Sequence, residues 1–258
     1  MARYFVPPDG YVGLAGRPRL RISELRLTDT PTWLRGRTLL FASDFHLRPG
    51  SDPGRIVRSM AECCADVILL GGDYADRREQ ALRLFDALRD LRAPLGVYAV
   101  CGNNDTEAFG SHAALADAME RFGARLLVNE VARVRCAGNV LEVGGVDEYR
   151  YGAPKPDGLF GLDAGYRILL SHYPVVRGVQ ADLMLCGHTH GGQFNFFGVT
   201  PYSVGFERLG KKRAYAPEAV CGVQRLDGMT LLVSKGIGAS RIPLRVGVRP
   251  EIHRIEMD

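Results

Sequence analysis

Aspartate, histidine and asparagine recur in this chain directly behind short apolar runs. LLFASDFH carries Asp44 and His46, VILLGGDYAD carries Asp73, and VYAVCGNND carries Asn103, Asn104 and Asp105. Further on, ILLSHYP brings His172, and LMLCGHTHGG brings His188 and His190. Carboxylate, imidazole and amide oxygen suit ions such as Mn²⁺, Fe or Zn²⁺. Thiolate is missing from the set, which argues against a structural zinc site, and the donors are too many for one tetrahedral ion. They suit two ions that share a bridging carboxylate. Two ions about 3.5–4 Å apart can activate a water and stabilise both the attacking and the leaving oxygen of a phosphoryl transfer. No side-chain nucleophile is then needed.

Spacing sharpens this reading. In an extended strand, residues i and i+2 point the same way. Asp44 and His46 are therefore expected to reach one ion with Phe45 turned away, and His188 and His190 to form a second such pair. Neighbouring glycines, Gly102 and Gly187 among them, let the backbone turn sharply and leave room beside the site. A single Asp or His at a strand end is more often structural. Burying this many charges without a metal, however, would be very costly. GHTHGGQ is not a P-loop, for it lacks the G-K-[ST] ending.

The elements that must position these donors follow from periodicity. Thr38–Ala42, Val67–Leu70, Val97–Val100, Val140–Val143, Ile168–Leu170, Leu183–Cys186 and Thr230–Val233 read as buried strands. Asp52 and Pro53 open a helix with Ile56, Val57 and Met60 on one face. Arg77–Leu91 repeats Ala81, Leu84, Phe85, Leu88 and Leu91 at helical spacing, and Thr106–Phe122 is a third helix. The first half alternates strand and helix as βαβ units do, while the second half is richer in strands and looks more antiparallel. Ligands of open α/β sheets bind at the C-terminal edge of the strands, where the donors lie. One domain is expected over 1–258, with 1–36 an N-terminal extension packing on or before the core.

Composition narrows the partners. A net charge of +4 and a pI near 8.8 fit an anionic substrate but do not by themselves indicate nucleic acid. No apolar run approaches the roughly 18 residues of a membrane span. Pro7, Pro8 and Asp9 fall where the apolar core of a signal peptide would be. The expectation is a cytoplasmic protein, peripheral to a membrane if it meets one at all. Cys63, Cys64, Cys101, Cys136, Cys186 and Cys221 form no C-x-x-C pair and read as reduced thiols.

The donor blocks resemble the calcineurin-like metallophosphoesterase superfamily, whose pattern is D-x-H, G-D, G-N-H-D, H and G-H-x-H. Here it reads Asp44-Phe45-His46, Gly72-Asp73, Gly102-Asn103-Asn104-Asp105, His172 and Gly187-His188-Thr189-His190. The resemblance implies that Asp44, His46 and His190 hold a first metal and that Asp73 bridges. Asn103, His172 and His188 would hold the second. It implies an α/β fold, a four-layer α/β/β/α sandwich with mixed sheets. The implied activity is dinuclear hydrolysis of phosphodiesters or pyrophosphates by a hydroxide between the metals, with Mn as the expected ion and Fe or Zn as alternatives. GHTHGGQ together with LLVSKGIGASRIPLRVGVRPEI is similar to a bacterial subgroup of predicted membrane-associated phosphohydrolases, some of which cleave the pyrophosphate of UDP-diacylglucosamine.

One position departs from the pattern. Asn104 stands where the family has histidine. Asparagine donates a hydrogen bond but is no general acid at neutral pH, a loss typically worth about 10²–10⁴-fold in rate. Weakened or narrowed activity is expected, with Asp73 and Asn104 as the catalytic positions. Asp105 reads equally as a helix N-cap or as an orienter of the site. His112 and His253 read as surface or satisfied core residues. Arg241, Arg245 and Lys235 are candidates to meet the substrate anion. The stretch 194–215, with Phe194, Phe196, Phe197, Tyr202, Phe206 and Tyr215 beside Arg208, Lys211, Lys212 and Arg213, reads as a basic loop that could cap a phosphorylated small molecule or lipid headgroup. A nuclease is an alternative, disfavoured by the absence of a basic stripe. A catalytically weakened scaffold is another, and Asn104 alone supports it.

Overall fold

The computed structural model describes residues 6–14, 16, 18–161, 165–205 and 217–258. Its framework comes from runs that are apolar at every position. β3 (Thr38–Ala42) and β4 (Val67–Leu70) are buried throughout, as strands covered on both faces must be. Alternate residues serve two cores. Leu40, Ala42, Ile68 and Leu70 face helices α1 (Pro53–Ala61), α2 (Arg78–Leu88), α3 (Asn103–Phe109) and α4 (His112–Glu120). Leu39, Phe41, Val67 and Leu69 face a second sheet.

The first sheet runs β2 (Arg21–Leu27), β14 (Glu251–Met257), β3, β4, β5 (Val97–Ala99), β6 (Ala124–Leu126). β3 to β6 are mutually parallel, and β14 lies antiparallel to β3 but parallel to β2. The second sheet runs β11 (Gly222–Leu226), β12 (Met229–Val233), β10 (Leu183–Cys186), β9 (Tyr166–Ser171), β8 (Asn139–Gly145), β7 (Glu130–Cys136). Its inner strands β12, β10, β9 and β8 are parallel, with antiparallel edges. Two stacked mixed sheets in an α/β fold are thus as expected. The outer face of the second sheet is covered, among the described residues, by irregular chain. Leu169, Met184 and Leu231 there are covered by Phe160, Ala181 and Ala219, which lie in irregular chain. Among the described residues this fourth layer holds no α-helix.

Two expectations are corrected. The helix expected over 106–122 is two helices, because Gly110 turns left-handed (φ 71°) and Ser111 caps α4 by accepting from Ala114 N–H. The second half is parallel at its centre rather than mainly antiparallel. Residues 21–27, within the expected N-terminal extension, form an edge strand of the first sheet. β2 and β14 escape a search for apolar runs because charges alternate with Ile and Leu, and those charges pair across the strands, Arg254 with Glu24 and Arg26 with Glu256. No helix among the described residues is long and apolar enough to cross a membrane.

Glu251 anchors the junction of β14 with the loop after β12. Its carboxylate accepts from Ser23 Oγ at 3.0 Å and Lys235 N–H at 3.2 Å, and lies 3.4 Å from His253 Nε2. Burial pushes its pKa up, but His253 and Lys235 outweigh burial and bring it down to about 2. A depressed carboxylate stabilises the fold fully above its ordinary value near 4.5 and loses that contribution as pH falls towards its folded value. At about 1.4 kcal/mol per unit, the contribution is ~3 kcal/mol. Urea denaturation between pH 6 and about pH 3 should show a steeper loss of stability for the wild type than for Glu251→Gln; equal slopes would refute the assignment.

Candidate metal centre

The strand ends β3, β4, β5, β9 and β10 deliver their polar residues to one rim between the sheets. Two clusters of donor atoms result, Asp44 with His46 and His190, and Asp44 with Asp73 and His172. All of these residues are buried. Asp73 Oδ2 lies 3.3 Å from His46 Nε2 and 3.4 Å from His172 Nε2. His190 Nε2 lies 3.5 Å from Asp44 Oδ1, and His188 Nδ1 lies 3.3 Å from His172 Nε2. Ligand atoms about 2.1 Å from a shared ion are about 3.0–3.4 Å from one another. His46 Nε2 is buried without any hydrogen-bond partner. These donors therefore fit divalent cations.

Neighbouring groups aim the rings. His46 Nδ1 meets Asp76 Oδ1 at 2.8 Å, and His172 Nδ1 donates to the Gly71 carbonyl at 2.8 Å. Each contact puts the proton on Nδ1 and leaves Nε2 for the centre, the usual support of a metal-binding imidazole. Asp44 is fixed by Ser43 Oγ at 2.7 Å and by His188 N–H at 3.0 Å. Asp105 accepts from the backbone N–H groups of Asp73, Tyr74 and Gly102 at 2.7–2.9 Å. Asp105 is thus not the N-cap of α3. It sits at the third helical position, satisfies the cap residue's N–H and ties the ends of β4 and β5 together.

The backbone explains how i and i+2 residues share the centre, and the explanation is not an extended strand. Asp44 (φ 53°), His46 (φ 38°), Asp73 (φ 55°), His188 (φ 69°) and His190 (φ 54°) are all left-handed, a conformation that costs a non-glycine residue of order 1 kcal/mol or more. Asp44 and His46 do converge, and Phe45 turns into the helix-side core. His188 and His190 separate, His190 towards Asp44 and His188 towards His172. Gly187 must lack a side chain, for a Cβ there would fall 2.0 Å from Ser43 Oγ and 2.2 Å from Asp44 Oδ2.

The charges respond to one another. Burial lowers the His46 and His172 pKa values but is outweighed by Asp73 for both, with Asp76 adding to His46, so they rise to about 10 and about 9. The two imidazolium charges outweigh burial at Asp73 and hold it well below the carboxylate range, whereas burial raises Asp44. Burial and nearby Asp73 push Asp105 up to about 7. Without metal, protons supply the positive charge that this cluster requires.

The remaining predicted residues occupy distinct places. Asn103 is buried, accepts from Tyr173 O–H at 3.1 Å and donates to Asn104 Oδ1 at 2.9 Å. Asn104 is half-buried at the opening. Its backbone N–H donates to Asp73 Oδ1 at 2.9 Å, and its Nδ2 lies 3.2 Å from His46 Nδ1 and 3.3 Å from Asp76 Oδ1. Lys235 Nζ points to Glu251 at 3.9 Å, and Arg241 is exposed on the rim. Arg245 does not face a substrate. Only 1% of it is exposed, and its guanidinium donates to the carbonyls of Gly238, Lys235 (2.7 Å) and His190 (3.3 Å) and to His190 Nδ1 (3.1 Å). An arginine only donates, so Nδ1 accepts, and the Nε2 proton of His190 points to Asp44 where a cation would replace it. His112 pairs with Asp147 at 2.9 Å, and His253 meets Ser234 Oγ at 3.1 Å. Phe206, Arg208, Lys211, Lys212, Arg213 and Tyr215 lie outside the described residues.

Asp76, Tyr173 and Gln193 are the contributors that spacing did not reveal. Tyr173 stacks on His188 with centroids 3.8 Å apart. Gln193 clamps the arch 240–244, accepting from Ser240 N–H and donating to the carbonyls of Ser240, Ile242 and Leu244. Asp76 alone had a legible signal, an acid three residues beyond Asp73 in GDYAD. A cleft of about 470 Å³ beside Trp33, Tyr166 and Arg225 lies at the opposite end of the sheets, and none of the centre's donors reaches it.

Buried carboxylates and imidazoles converging where two mixed sheets meet define a metal-dependent hydrolase. Residues 38–195 match the calcineurin-like phosphoesterase superfamily domain, and the chain belongs to that superfamily. It is 30% identical to the uncharacterized metallophosphoesterase YkoQ of Bacillus subtilis (strain 168), over 83% of this chain and 81% of that protein. It is 31% identical to an uncharacterized metallophosphoesterase of Aquifex aeolicus (strain VF5), over 83% and 82%. It is 29% identical to the phosphodiesterase YaeI of Escherichia coli (strain K12), over 85% and 81%. The chain is accordingly a metallophosphoesterase, a hydrolase of phosphate esters.

Removing Arg245 leaves buried acceptors unpaired, a loss of ~3–5 kcal/mol where a buried charged partner is deleted. Arg245→Met should lower the urea midpoint accordingly and weaken Mn²⁺ uptake in equilibrium dialysis. A variant as stable as wild type would remove the bracing role.

Proposed function

We propose that this protein hydrolyses phosphodiesters or pyrophosphates with two divalent cations, manganese being the ion whose ligand preferences match best. The observation that carries this is the pairing of donor clusters around shared carboxylates. Asp44, His46 and His190 would hold one ion, Asn103, His172 and His188 the other, and Asp73, midway between His46 and His172, would serve both. When bound, such a pair supplies an activated water and neutralises the phosphoryl oxygens.

The chain's own residues do the rest. Asp76 and the Gly71 carbonyl hold the Nδ1 protons of His46 and His172 and so keep both rings aimed. Ser43 fixes the Asp44 carboxylate, the Asn104 N–H that of Asp73, and Asp105 holds the Asp73 backbone. Asn104, at the opening beside Asp76, can donate a hydrogen bond to a phosphate oxygen or leaving group but gives up no proton at neutral pH. That favours substrates whose leaving group departs without protonation. Exposed Arg241 is placed to attract an anionic substrate to the rim. The phosphodiesterase YaeI, a relative of this chain, supports the same class of substrate.

Hydrolysis of a bis-aryl phosphodiester should require added Mn²⁺ and disappear in Asp73→Asn together with metal uptake. Hydrolysis that survives in the variant, or that chelators leave untouched, would overturn the reading. Asn104→His should raise turnover on alkyl phosphodiesters, within the ~10²–10⁴-fold that general acid catalysis supplies, with little gain on aryl diesters. Unchanged alkyl turnover at full metal occupancy would show that Asn104 does not limit the reaction.

A further inference from the structure

Two amides stand side by side at the start of α3, and the direction in which each is turned is set by its neighbours. An amide serves a divalent cation through its oxygen and never through its NH₂. The orientation of Asn103 therefore decides whether it can be a ligand at all. Its Nδ2 donates to Asn104 Oδ1 at 2.9 Å, and its Oδ1 accepts from Tyr173 O–H at 3.1 Å. Turned the other way, Asn103 would set its oxygen against the oxygen of Asn104. Asn103 is thus held as firmly as Asn104 is.

Asn104 is held from its far side. Its Nδ2 donates to Asp76 Oδ1 at 3.3 Å. Asp76 has 46% of its side chain in water, so it is a carboxylate at neutral pH and can only accept. His46 Nδ1, 3.2 Å from the Asn104 amino group, gives its own proton to the same Asp76 oxygen at 2.8 Å. A reversed Asn104 would set an oxygen against that carboxylate. One chain results, Tyr173–Asn103–Asn104–Asp76, in which every bond donates towards Asp76, and bonds aligned head to tail strengthen one another.

The ends of this chain lie at different cations. Asp76 supports His46 of the first set. Tyr173 belongs with the second, its ring stacked on His188 with centroids 3.8 Å apart and set edge-on to His172 at 5.4 Å. The centre's other brace serves the first set alone: β13 (Leu244–Val246), paired with β1 (Val12–Leu14), sends Arg245 to His190 Nδ1 at 3.1 Å. The link between the two sets is the residue that departs from the family pattern. The Asn104 backbone N–H to Asp73 Oδ1, at 2.9 Å, does not depend on the side chain, so substitution there tests the amide by itself.

We propose, on the two-cation reading, that Asn104 is a positioning residue that passes the polarity of Asp76 across the centre and so keeps the oxygen of Asn103 turned to the second cation. The carboxylate that aims a histidine of one site thereby aims an amide of the other, and the two sites are coupled without sharing that ligand.

Electron paramagnetic resonance of Mn²⁺ titrated into the metal-free protein tests this, because it counts bound ions and distinguishes isolated ions from neighbouring pairs. Wild type should take up two Mn²⁺ in two steps. Asn104→Leu, of similar size but neither donor nor acceptor, should weaken by ~10–100-fold the step that His172→Ala abolishes, and should leave the other step unchanged. Tyr173→Phe, which keeps the stack on His188 and removes the hydroxyl, should weaken the same step. Asp76→Asn should weaken both steps, but only the first when Asn104→Leu is already present, the non-additivity that marks a shared network. Second-step affinity unchanged in Asn104→Leu and Tyr173→Phe, or an Asp76→Asn effect on that step that is equal with and without Asn104→Leu, would overturn this inference alone. Wild type that takes up a single Mn²⁺ would overturn the two-cation reading and this inference together.

Discussion

Everything at the centre of this molecule depends on negative charge that water cannot reach. Asp44 and Asp73 are buried within a few ångströms of each other's histidine partners, and among the described residues no arginine or lysine side chain forms an ion pair with them. Buried carboxylates need compensation. Protonated His46 and His172 provide it in the metal-free protein, and cations take over that role on loading. Fold and chemistry therefore share one requirement, and the cluster is built to be completed from outside.

That requirement accounts for the unusual backbone. Left-handed conformations recur at Asp44, His46, Asp73, His188 and His190, each just past a regular strand. A strand could present one donor per two residues to a face. Turning the chain back on itself brings donors from consecutive blocks onto a point instead. The cost in strain is absorbed by the rigid sheets behind and by side chains that lock the turns, Asp105 between β4 and β5 and Arg245 and Gln193 across the arch.

Much of this was visible in the amino-acid order. Strands such as Thr38–Ala42, Val67–Leu70 and Leu183–Cys186 fall where uninterrupted apolar runs predict them, because both faces of a central parallel strand are buried. The donors behind those runs converge for the same reason, since parallel strands end on one edge. Edge elements were hidden. β2 and β14 are half charged, and only their cross-strand ion pairs reveal that the charges belong to a sheet. Side-chain direction was hidden too. Nothing local distinguishes Arg245, folded inwards as a brace, from Arg241, left on the rim. Nor does the motif GHTHGGQ announce that its glutamine ends up stitching an arch fifty residues later in the chain.

The place of β14 has one more consequence. It lies between β2 and β3, so the helix-side sheet has a gap between its edge strand and the rest until residues 251–257 arrive. Between Ala42 and Glu251 lies most of the chain. During synthesis on a ribosome, β3 to β6 can pair as they emerge, but β2 has no neighbour and the β3 edge stays open until residues 251–257 are made. Long-range pairing of this kind is slow, and an open strand edge invites wrong partners. A nascent chain of this protein would thus depend on protection until that strand is made, and this sheet would be completed by insertion of one strand rather than by growth from one end.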